Sequence, residues 1–496
     1  MTPQGPQSPE QPFAGRAIHF VGIGGCGMSG LAAFVLAEGG AVSGSDMKAS
    51  AVTDRLARLG AAVHIGHDPG HVPPAADTVV ASAAIKPDNP ELVEARRRGL
   101  AVSKYAEFLG RLMALRQGIA VSGTHGKSTT TAMVAWALRQ AGLDPSFVIG
   151  AEVPQLGGGS HAGRGPHFVV EACEFDRSFH RLVPRAACIL NVEEDHLDCY
   201  TGGIAEIRES FGRFAERVPS DGLLVVNGAD KSTQEAVAGV RRPTETFGIG
   251  GDWDWRAENL EADRGRFAFD VYRRRDLYGH VRLALAGQHN VLNAVAAAAL
   301  ASWAGARADQ IAEALGEFQG ARRRIEVLGE AAGVTVVDDY AHHPTEIAAT
   351  LKAVRARFEP RRLWVVFQPH QHSRTRFLLK DFALALSRAD RIIVPDIYFV
   401  RDSELERQAV RSEDLVQLIQ TQGADALYIQ EFPSIRRYLV ESLAPGDVLL
   451  VMGAGDVWRL AGPILADLAS GSAATHTDQA APGHTTRTHD GHLQGT

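Results

Sequence analysis

The chain has 496 residues, enough for about three domains of ordinary size with separate cores, which excludes a single small binding module. Lysine and arginine total 51 against 58 aspartate and glutamate, a net charge of −7, so the chain lacks the basic excess of a nucleic-acid-binding protein. Hydrophobic residues make up 45% and charged residues 22%, close to globular averages, which excludes extensive disorder.

The cysteines and the N-terminus predict a reducing, cytoplasmic location. The four cysteines are scattered and include no CxxC pair, which is typical of neither a disulfide framework nor a zinc ribbon. The N-terminal stretch is polar and proline-rich without the apolar core of a signal peptide, and no run of about 20 apolar residues follows. We therefore expect no membrane association and no nucleic-acid partner. We also expect a monomer or a homodimer.

Residues 16–116 predict a Rossmann-like α/β domain that follows a disordered tail, residues 1–15. Short apolar strands are expected near residues 17–22, 41–45 and 78–83, with helical stretches between them. Strands that alternate with helices are typical of a parallel sheet.

A glycine loop follows the first predicted strand. Gly22, Gly24 and Gly27 satisfy the spacing GxGxxG, and Asp46 lies near the end of the next strand, as in dinucleotide-binding folds. Glycine has no Cβ, so the backbone can approach a phosphate, and the following helix offers unpaired N–H groups. The loop predicts diphosphate binding but does not identify the nucleotide. A turn that needs glycine only for packing is the alternative.

Residues 117–320 predict a central, P-loop ATPase-like parallel sheet. Its first strand leads into Gly123-Thr124-His125-Gly126-Lys127-Ser128, and a helix is expected over residues 128–141. In a P-loop the backbone amides surround phosphates, the lysine neutralises their charge and the hydroxyl binds Mg²⁺. This loop therefore predicts ATP binding with Mg²⁺.

Two polar clusters follow later strands of the same domain. Glu171-Ala-Cys-Glu174 and Asn191-Val-Glu-Glu-Asp195-His196 each end a predicted strand, so both should lie at the carboxyl edge of the sheet, where α/β proteins bind ligands. A carboxylate and an imidazole beside the P-loop hydroxyl can complete the shell of one or two Mg²⁺ ions. Taken alone, His196 leaves a role outside metal binding equally open.

Residues 321–469 predict a third, Rossmann-like domain with a doubly wound sheet, followed by a disordered tail, residues 470–496. The tail is rich in glycine, threonine and histidine and poor in large apolar residues. Apolar strands alternate with amphipathic helices along the third domain. The strands are expected at residues 334–337, 363–367, 391–394, 426–429 and 448–451.

Seven motifs, in chain order, resemble those of the Mur ligases, and the resemblance covers residues 16–469. They are Gly22-Ile-Gly-Gly-Cys-Gly-Met-Ser-Gly30, Gly123-Thr-His-Gly-Lys-Ser-Thr129, Glu171-Ala-Cys-Glu174, Asp195-His196, Gln288-His-Asn-Val-Leu-Asn293, Asp338-Asp-Tyr-Ala-His-His-Pro344 and Phe367-Gln-Pro-His370. The resemblance implies three α/β domains and an ATP-dependent, amide-forming ligase of peptidoglycan synthesis.

Within the family, the opening motif favours the members that join L-alanine to the lactyl carboxylate of UDP-N-acetylmuramate while ATP becomes ADP and phosphate. The carboxylate would first form an acyl phosphate, which the amine of alanine then attacks. Because an acyl phosphate hydrolyses in water, we expect the third domain to close on the central domain when ATP is bound.

The resemblance also assigns roles to individual residues. Those implied for catalysis are Lys127, Glu174, His196 and the candidate general base His343. Those implied for the UDP-sugar are Gly22, Gly24, Gly25, Gly27, Met28, Ser29, Asp46 and Ser82. Those implied for ATP are Gly123, Thr124, His125, Gly126, Lys127, Ser128, Thr129, Asn290, Asn293, Arg324, Asp338 and Asp339. Mg²⁺ would be held by Ser128, Glu174 and His196, and L-alanine would lie near His343, Arg374 and Arg376.

Two residues depart from the family pattern on the amino-acid side. Gln371 stands where the family often has arginine, which leaves the clamp for the amino-acid carboxylate to Arg374 alone. Ala341 replaces a common glycine, as it does in the related ligase that recycles murein tripeptide. That ligase is one alternative function. An NAD-dependent oxidoreductase that uses the first glycine loop and a non-catalytic nucleotide sensor are the others.

Overall fold

The structure, a computed structural model, describes residues 12–471. Residues 1–11 and 472–496, which make up most of the two predicted disordered tails, lie outside the described residues. The described chain forms three α/β units, each built on its own sheet. The predicted fold class, α/β with three domains, is confirmed. Within the part of the chain that is described, no helix combines the length and the apolar character needed to cross a bilayer.

The first unit contains five parallel strands and four helices. They are β1 (Ala17–Val21), α1 (Cys26–Ala37), β2 (Ala41–Asp46), α2 (Ala51–Arg58), β3 (Ala62–Ile65), β4 (Thr78–Ala81), α3 (Pro90–Arg97), β5 (Ala101–Lys104) and α4 (Tyr105–Met113). The strand order is β3-β2-β1-β4-β5, as in a Rossmann-like sheet. The inner strands β1 and β4 are buried on both faces, which is why they appear in the sequence as continuous, mainly apolar runs.

The central unit contains ten strands and five helices. They are β6 (Gln117–Ser122), α5 (Lys127–Gln140), β7 (Ser146–Val148), β8 (Ser160–His161), β9 (His167–Glu171), β10 (Ala186–Ile189), α6 (Gly203–Ala215), β11 (Leu223–Asn227), α7 (Lys231–Val237), β12 (Thr244–Ile249), β13 (Trp255–Asp263), β14 (Arg266–Arg273), β15 (Asp276–Ala286), α8 (Gln288–Trp303) and α9 (Ala308–Glu317). The strand order is β15-β14-β13-β12-β11-β10-β6-β9-β7-β8.

Six of the ten strands of the central sheet were not predicted from the sequence. The last three of these are β13, β14 and β15. They pair antiparallel in a meander at one end of the sheet. One face of this meander meets solvent, so buried and polar residues alternate, and charged residues such as Glu261 and Arg273 are exposed. Strands buried on both faces appear in a sequence as continuous apolar runs, whereas half-exposed strands such as these do not.

The third unit contains six strands and seven helices. They are β16 (Glu326–Ala331), β17 (Val334–Asp339), α10 (Pro344–Phe358), β18 (Leu363–Phe367), α11 (His372–Phe377), α12 (Leu379–Leu386), β19 (Arg391–Val394), α13 (Glu404–Ala409), α14 (Ser412–Thr421), β20 (Ala426–Tyr428), α15 (Phe432–Ser442), β21 (Val448–Met452) and α16 (Ala461–Ser470). The strand order is β16-β17-β21-β18-β19-β20, and only the pair β16 and β17 is antiparallel.

The strand order of the central sheet determines which loops meet. Strand β6 lies between β9 and β10 and is parallel to both. Because parallel strands end at the same edge, the loop after β6 is flanked by the loops after β9 and β10. The P-loop, Glu174 and His196 therefore come together although they lie far apart in the sequence.

Candidate active site

The loop between β6 and α5 has the backbone of a phosphate-binding loop. Gly123 and Gly126 have φ angles of 142° and 83°, in the region that favours glycine. A Cβ on Gly126 would also lie 2.6 Å from Asn293 Oδ1. Lys127 begins α5, so the free N–H groups of the first helical turn lie directly beside the loop.

The Lys127 ammonium lies within a cluster of oxygen acceptors. Its Nζ donates to the carbonyl oxygens of Gly123 at 2.6 Å and Thr124 at 3.0 Å, and to Glu174 Oε1 at 3.1 Å. Burial disfavours the ammonium, but the carboxylate of Glu174 outweighs it, and the pKa of Lys127 is raised above its usual value. Lys127 is therefore a fixed positive charge at the mouth of the loop.

The three residues predicted for Mg²⁺ lie on adjoining segments. Ser128 is buried in the first turn of α5, and His196 Nε2 lies 3.8 Å from Glu174 Oε1. Within the described chain, the buried atoms Glu174 Oε2 and His196 Nδ1 have no hydrogen-bond partner. Glu174 Oε2 lies 3.0 Å from Lys127 Nζ as an ion pair. A buried carboxylate and a neighbouring imidazole nitrogen without a partner, together with a serine hydroxyl in the first turn of α5, are donors that a divalent cation would satisfy. These residues therefore fit the predicted ion.

A cavity of about 450 Å³ opens beside the P-loop, between the central and third units. Its lining includes seven residues predicted for ATP: His125, Gly126, Thr129, Asn290, Asn293, Arg324 and Asp339. The other residues predicted for ATP lie outside this lining: Gly123, Thr124, Lys127, Ser128 and Asp338. The cavity thus adjoins the P-loop and is completed only by the third unit.

Asn290 and Asn293 lie one turn apart on α8, and both are buried. Asn290 Nδ2 donates to the carbonyl oxygen of Ala286 at 2.7 Å, and Asn293 Nδ2 donates to Asn290 Oδ1 at 3.1 Å. These bonds fix both amides at the cavity wall, with Asn293 against the P-loop. Their contact with adenine stays a prediction.

The predicted ATP residues of the third unit differ in how far they are available to a ligand. Asp339 accepts two backbone N–H groups at 2.7 and 2.8 Å, so its carboxylate is already hydrogen-bonded to the backbone around it. Asp338 pairs with Arg323 at 3.2 Å, and burial raises the pKa of Asp338 to about 6. Arg324 lines the cavity, as do Arg322 and Arg357 of the same unit.

The two predicted amino-acid-binding arginines lie on α11 in opposite environments. Arg374 is buried, and its Nε donates to Asp195 Oδ1 of the central unit at 2.9 Å. Arg376 is exposed and stacks over the Phe377 ring, so the structure does not bring it to the cleft and its predicted role is not supported. Gln371, the residue that departs from the family pattern, is buried just before α11 with a φ of 70°.

His343 caps the first turn of α10 and contacts the central unit. Its Nδ1 accepts the N–H of Thr345 at 3.3 Å, and its Nε2 donates to the carbonyl oxygen of Glu194 at 3.1 Å. Burial and the nearby His125 lower the pKa of His343. Both ring nitrogens are in use, so His343 can take a proton only after one bond breaks. Its role as general base stays a prediction.

His125 bridges the central and third units. Its Nδ1 lies 3.2 Å from Glu346 of α10, and its Nε2 lies 3.4 Å from Glu193 of the central unit. Burial opposes protonation, but the two carboxylates raise the pKa of His125 to about 9. An imidazolium between two carboxylates therefore connects the P-loop to the third unit. Ligating atoms of His125, Glu193 and His343 also lie within 4.8 Å of one another, a set that differs from the residues predicted for Mg²⁺.

The first glycine loop joins β1 to α1 and is closed by Asp46. Asp46 Oδ2 accepts the N–H of Gly24 at 2.9 Å. Gly22 has a φ of 83°, and a Cβ there would lie 3.1 Å from Ser82 Cβ. Gly25 is the N-cap of α1, so the first helical turn follows the loop at once. This backbone is that of a phosphate-binding turn.

Gly27, Met28 and Ser29 belong to α1 itself. A Cβ on Gly27 would lie 2.5 Å from the Tyr105 hydroxyl oxygen, so glycine is required there for packing, the alternative raised for this loop. The Met28 side chain is buried in the apolar core and cannot contact a ligand. The backbone N–H groups of this first turn and the half-buried Ser29 side chain remain for the predicted UDP contact, which stays a prediction.

Known protein families match all three units. Residues 17–117 match the "Mur ligase family, catalytic domain", residues 121–301 the "Mur ligase middle domain", and residues 323–455 the "Mur ligase, glutamate ligase domain". The chain belongs to the Mur ligase family. The resemblance stated from the seven motifs is confirmed.

Individual Mur ligases match over almost their whole length. The UDP-N-acetylmuramate–L-alanine ligase of Caldanaerobacter subterraneus is 43% identical over 90% of this chain and 96% of its own. The structure of the UDP-N-acetylmuramate-alanine ligase MurC from Thermotoga maritima superposes with a TM-score of 0.76 at 29% identity, over 92% of this chain and 99% of that chain. A murein peptide ligase from Psychrobacter arcticus gives a TM-score of 0.67 at 28% identity, over 92% and 99%.

No role was predicted for Glu193, Asp195 or Glu346 of this Mur ligase, although all three make contacts between its central and third units. Asp195 precedes His196 in a quoted motif, and Glu346 lies in the first turn of α10, directly after another motif. Their positions in or beside these motifs were the only indication in the sequence that these two residues are functional. Their partners were hidden because the pairs join distant segments, as Asp195 and Arg374 do at 179 positions apart.

Proposed function

We propose that this Mur ligase joins L-alanine to the lactyl carboxylate of UDP-N-acetylmuramate through an acyl phosphate, with ATP converted to ADP and phosphate. The product, UDP-N-acetylmuramoyl-L-alanine, is a peptidoglycan precursor. The interface between the central and third units carries the proposal: its cavity is lined by P-loop residues and Arg324, and buried Arg374 pairs with Asp195 across it. Lys127, at the start of α5, pairs with Glu174, which lies beside His196. The names of the relatives at 43% and 29% identity support the choice of substrates.

A carboxylate must be activated before an amine attacks it, because direct attack would have to expel oxide. Transfer of the γ-phosphoryl group of ATP to a carboxylate oxygen releases ADP and creates an acyl phosphate, from which phosphate leaves readily. This step brings two anions together, so fixed positive charge lowers its barrier. Lys127 supplies that charge from the central unit and Arg324 from the third.

Mg²⁺, when bound, supplies further positive charge against the phosphate oxygens. Ser128, Glu174 and His196 would hold it. Lys127 already orients the Glu174 carboxylate, because its Nζ lies 3.1 Å from Oε1 and 3.0 Å from Oε2.

In the second step the amine of L-alanine attacks the acyl carbon, phosphate departs, and the nitrogen loses a proton. Arg374 would hold the amino-acid carboxylate, which fixes the amine near the acyl phosphate. His343 would take the proton once its bond to Thr345 or Glu194 is released. The first unit would hold the UDP group at its glycine loop, and we place the protein in the cytoplasm, where ATP is available.

Phosphate release in the presence of UDP-N-acetylmuramate, Mg²⁺ and ATP, with single amino acids or murein tripeptide, tests the proposal. We expect release to depend on both the sugar nucleotide and L-alanine. Lys127→Ala should lower kcat by about 10³-fold or more, because phosphoryl transfer loses its fixed cation. Lys231→Ala, which changes a highly exposed lysine on α7, is the matched control and should leave kcat unchanged.

Each alternative gives a different result in this assay. Release with tripeptide but not with L-alanine would identify the recycling ligase. ATP binding without any phosphate release would indicate a nucleotide sensor, and nicotinamide binding detected by fluorescence would indicate an oxidoreductase. Normal turnover by Lys127→Ala would contradict the P-loop assignment.

A further inference from the structure

Asp195 and Arg374 form a buried ion pair across the interface between the central and third units. Both side chains are 7% exposed, and Arg374 Nε and Nη2 each lie 2.9 Å from Asp195 Oδ1. Two charges are removed from water here, which is favourable only with good geometry and further hydrogen bonds. Burying two charges only to join two domains would cost free energy. The geometry of the pair therefore indicates whether it has a further role.

The geometry divides the guanidinium of Arg374 into two edges. Asp195 takes the edge formed by Nε and Nη2. At the other edge, Nη1 has two longer contacts, to His370 Nδ1 at 3.3 Å and to the His370 carbonyl oxygen at 3.4 Å. An arginine binds a carboxylate best through two parallel N–H groups of one edge. Asp195 therefore takes one edge of Arg374, and the other edge has only long contacts, both to His370, which a carboxylate could replace.

Asp195 also contacts the opposite side of the active site. The same Oδ1 atom accepts the backbone N–H of His196 at 2.7 Å, and His196 has a φ of 53°, which is unusual for a residue other than glycine. One carboxylate oxygen thus fixes both the turn that carries His196 and the arginine predicted to bind the amino acid.

We propose that Asp195 is a positioning residue for amino-acid binding: it holds the Nε–Nη2 edge of Arg374 so that the Nη1–Nη2 edge receives the carboxylate of the incoming amino acid. This inference rests on the proposed function. A carboxylate that served only to attach the third unit would affect ATP, sugar nucleotide and amino acid alike, since closure of that unit serves all three. A positioning role affects the amino acid selectively.

Steady-state kinetics of Asp195→Asn, with each substrate varied in turn, tests this role. The amide oxygen of asparagine can still accept the His196 N–H, so the metal-side turn is kept, but the charge that orients Arg374 is lost. We expect the KM for L-alanine to rise by at least about tenfold, the loss typical of a hydrogen bond to a charged group, with the KM for ATP within about twofold of the wild type. Asp195→Glu, which keeps the charge, should recover part of this loss.

Asp252→Asn is the control, because Asp252 is an exposed carboxylate of the central unit that lines no pocket beside Arg374 or the P-loop. It should leave all three KM values unchanged. Equal rises in the KM for L-alanine and ATP, in either Asp195 variant, would show a docking role and overturn the inference. If Asp195→Asn does not fold, the same selectivity for L-alanine is required of Asp195→Glu. Absence of L-alanine-dependent turnover in the wild type would instead overturn the proposed function, and the inference with it.

Discussion

Lys127 and His125 place two positive charges in one short loop, and carboxylates from other segments stabilise both. Glu174 lies against Lys127, and Glu193 and Glu346 lie against His125. The two charges differ in origin. Lysine is charged at any physiological pH, whereas the imidazole stays charged only because its pKa is raised to about 9. The contact of His125 with the third unit should therefore depend on pH.

We expect the stability of the chain to fall as pH rises from 6.5 to above 9, in part through His125. Its pKa is about 9 in the folded chain against 6.5 in the unfolded one, so its contribution is complete below pH 6.5 and is lost as pH rises through about 9. The contribution is up to about 3 kcal/mol. Urea unfolding midpoints of the wild type and of His125→Asn, measured across this pH range, give the contribution of His125 to stability.

His280→Asn is the control for this titration, because His280 is exposed on the meander and far from the cleft. The control should retain the pH dependence of the wild type, and His125→Asn should lose part of it. Identical slopes for His125→Asn and the wild type would contradict the protonated bridge.

Helix α1 shows how one element serves two purposes. Its N-terminal turn forms the phosphate-binding end of the first glycine loop, and its body packs against neighbouring elements at close range. Gly27 faces Tyr105 of α4, and Gly30 faces Ser160 of β8, where a Cβ would lie 2.7 Å from the serine Cβ. The glycines of this helix are therefore required by packing as well as by phosphate access.

Gly27→Ala should destabilise the first unit by about 1–3 kcal/mol, because the added methyl group overlaps the Tyr105 ring and forces α1 and α4 apart. Gly462→Ala is a matched control, since Gly462 is likewise the second residue of its helix, α16, and a Cβ there meets nothing within 4 Å. The control should be neutral or stabilising by up to about 1 kcal/mol, because alanine is the better helix former. Thermal unfolding of both variants provides the comparison, and equal midpoints would refute the packing explanation.

The elements that could be predicted from the sequence were those whose burial alone determines their pattern of apolar residues. Strands such as β4 and β18 are buried along their whole length, so their apolar runs were visible without tertiary information. The meander strand β13 has one face in solvent, and its charged residues concealed it. The P-loop was identified from its ending, Gly126-Lys127-Ser128, between a predicted strand and a predicted helix.

The three units are joined by two different kinds of contact. The first and central units share one apolar cluster, in which Phe34 stacks on Phe168 with ring centroids 5.3 Å apart. Within the described chain, no buried apolar cluster joins the third unit to the others, and its own clusters contain only residues from 325 onward. Polar contacts hold it instead, among them Thr345 to Glu193 at 2.6 Å. Small polar interfaces permit relative domain motion.

We therefore expect the third unit to move as a body while the other two stay together. Small-angle scattering should give a smaller radius of gyration when an ATP analogue, Mg²⁺ and the sugar nucleotide are all present than for the protein alone. The sugar nucleotide by itself should cause little change, because the first unit is already joined to the central unit by an apolar core. An unchanged radius with all ligands present would refute closure.

The sequence by itself determined the fold class, the two glycine loops and the family, because these depend on burial patterns and on backbone requirements within short segments. It also placed Lys127, Glu174 and His196 together, since parallel strands end at a common edge. Only the tertiary structure decided that Arg376 lies in solvent while Arg374 meets Asp195, and that His125 is held between Glu193 and Glu346. These facts depend on how the central and third units meet. At such an interface, the charge, the burial and the free N–H groups of a side chain are determined by residues that are distant in the sequence.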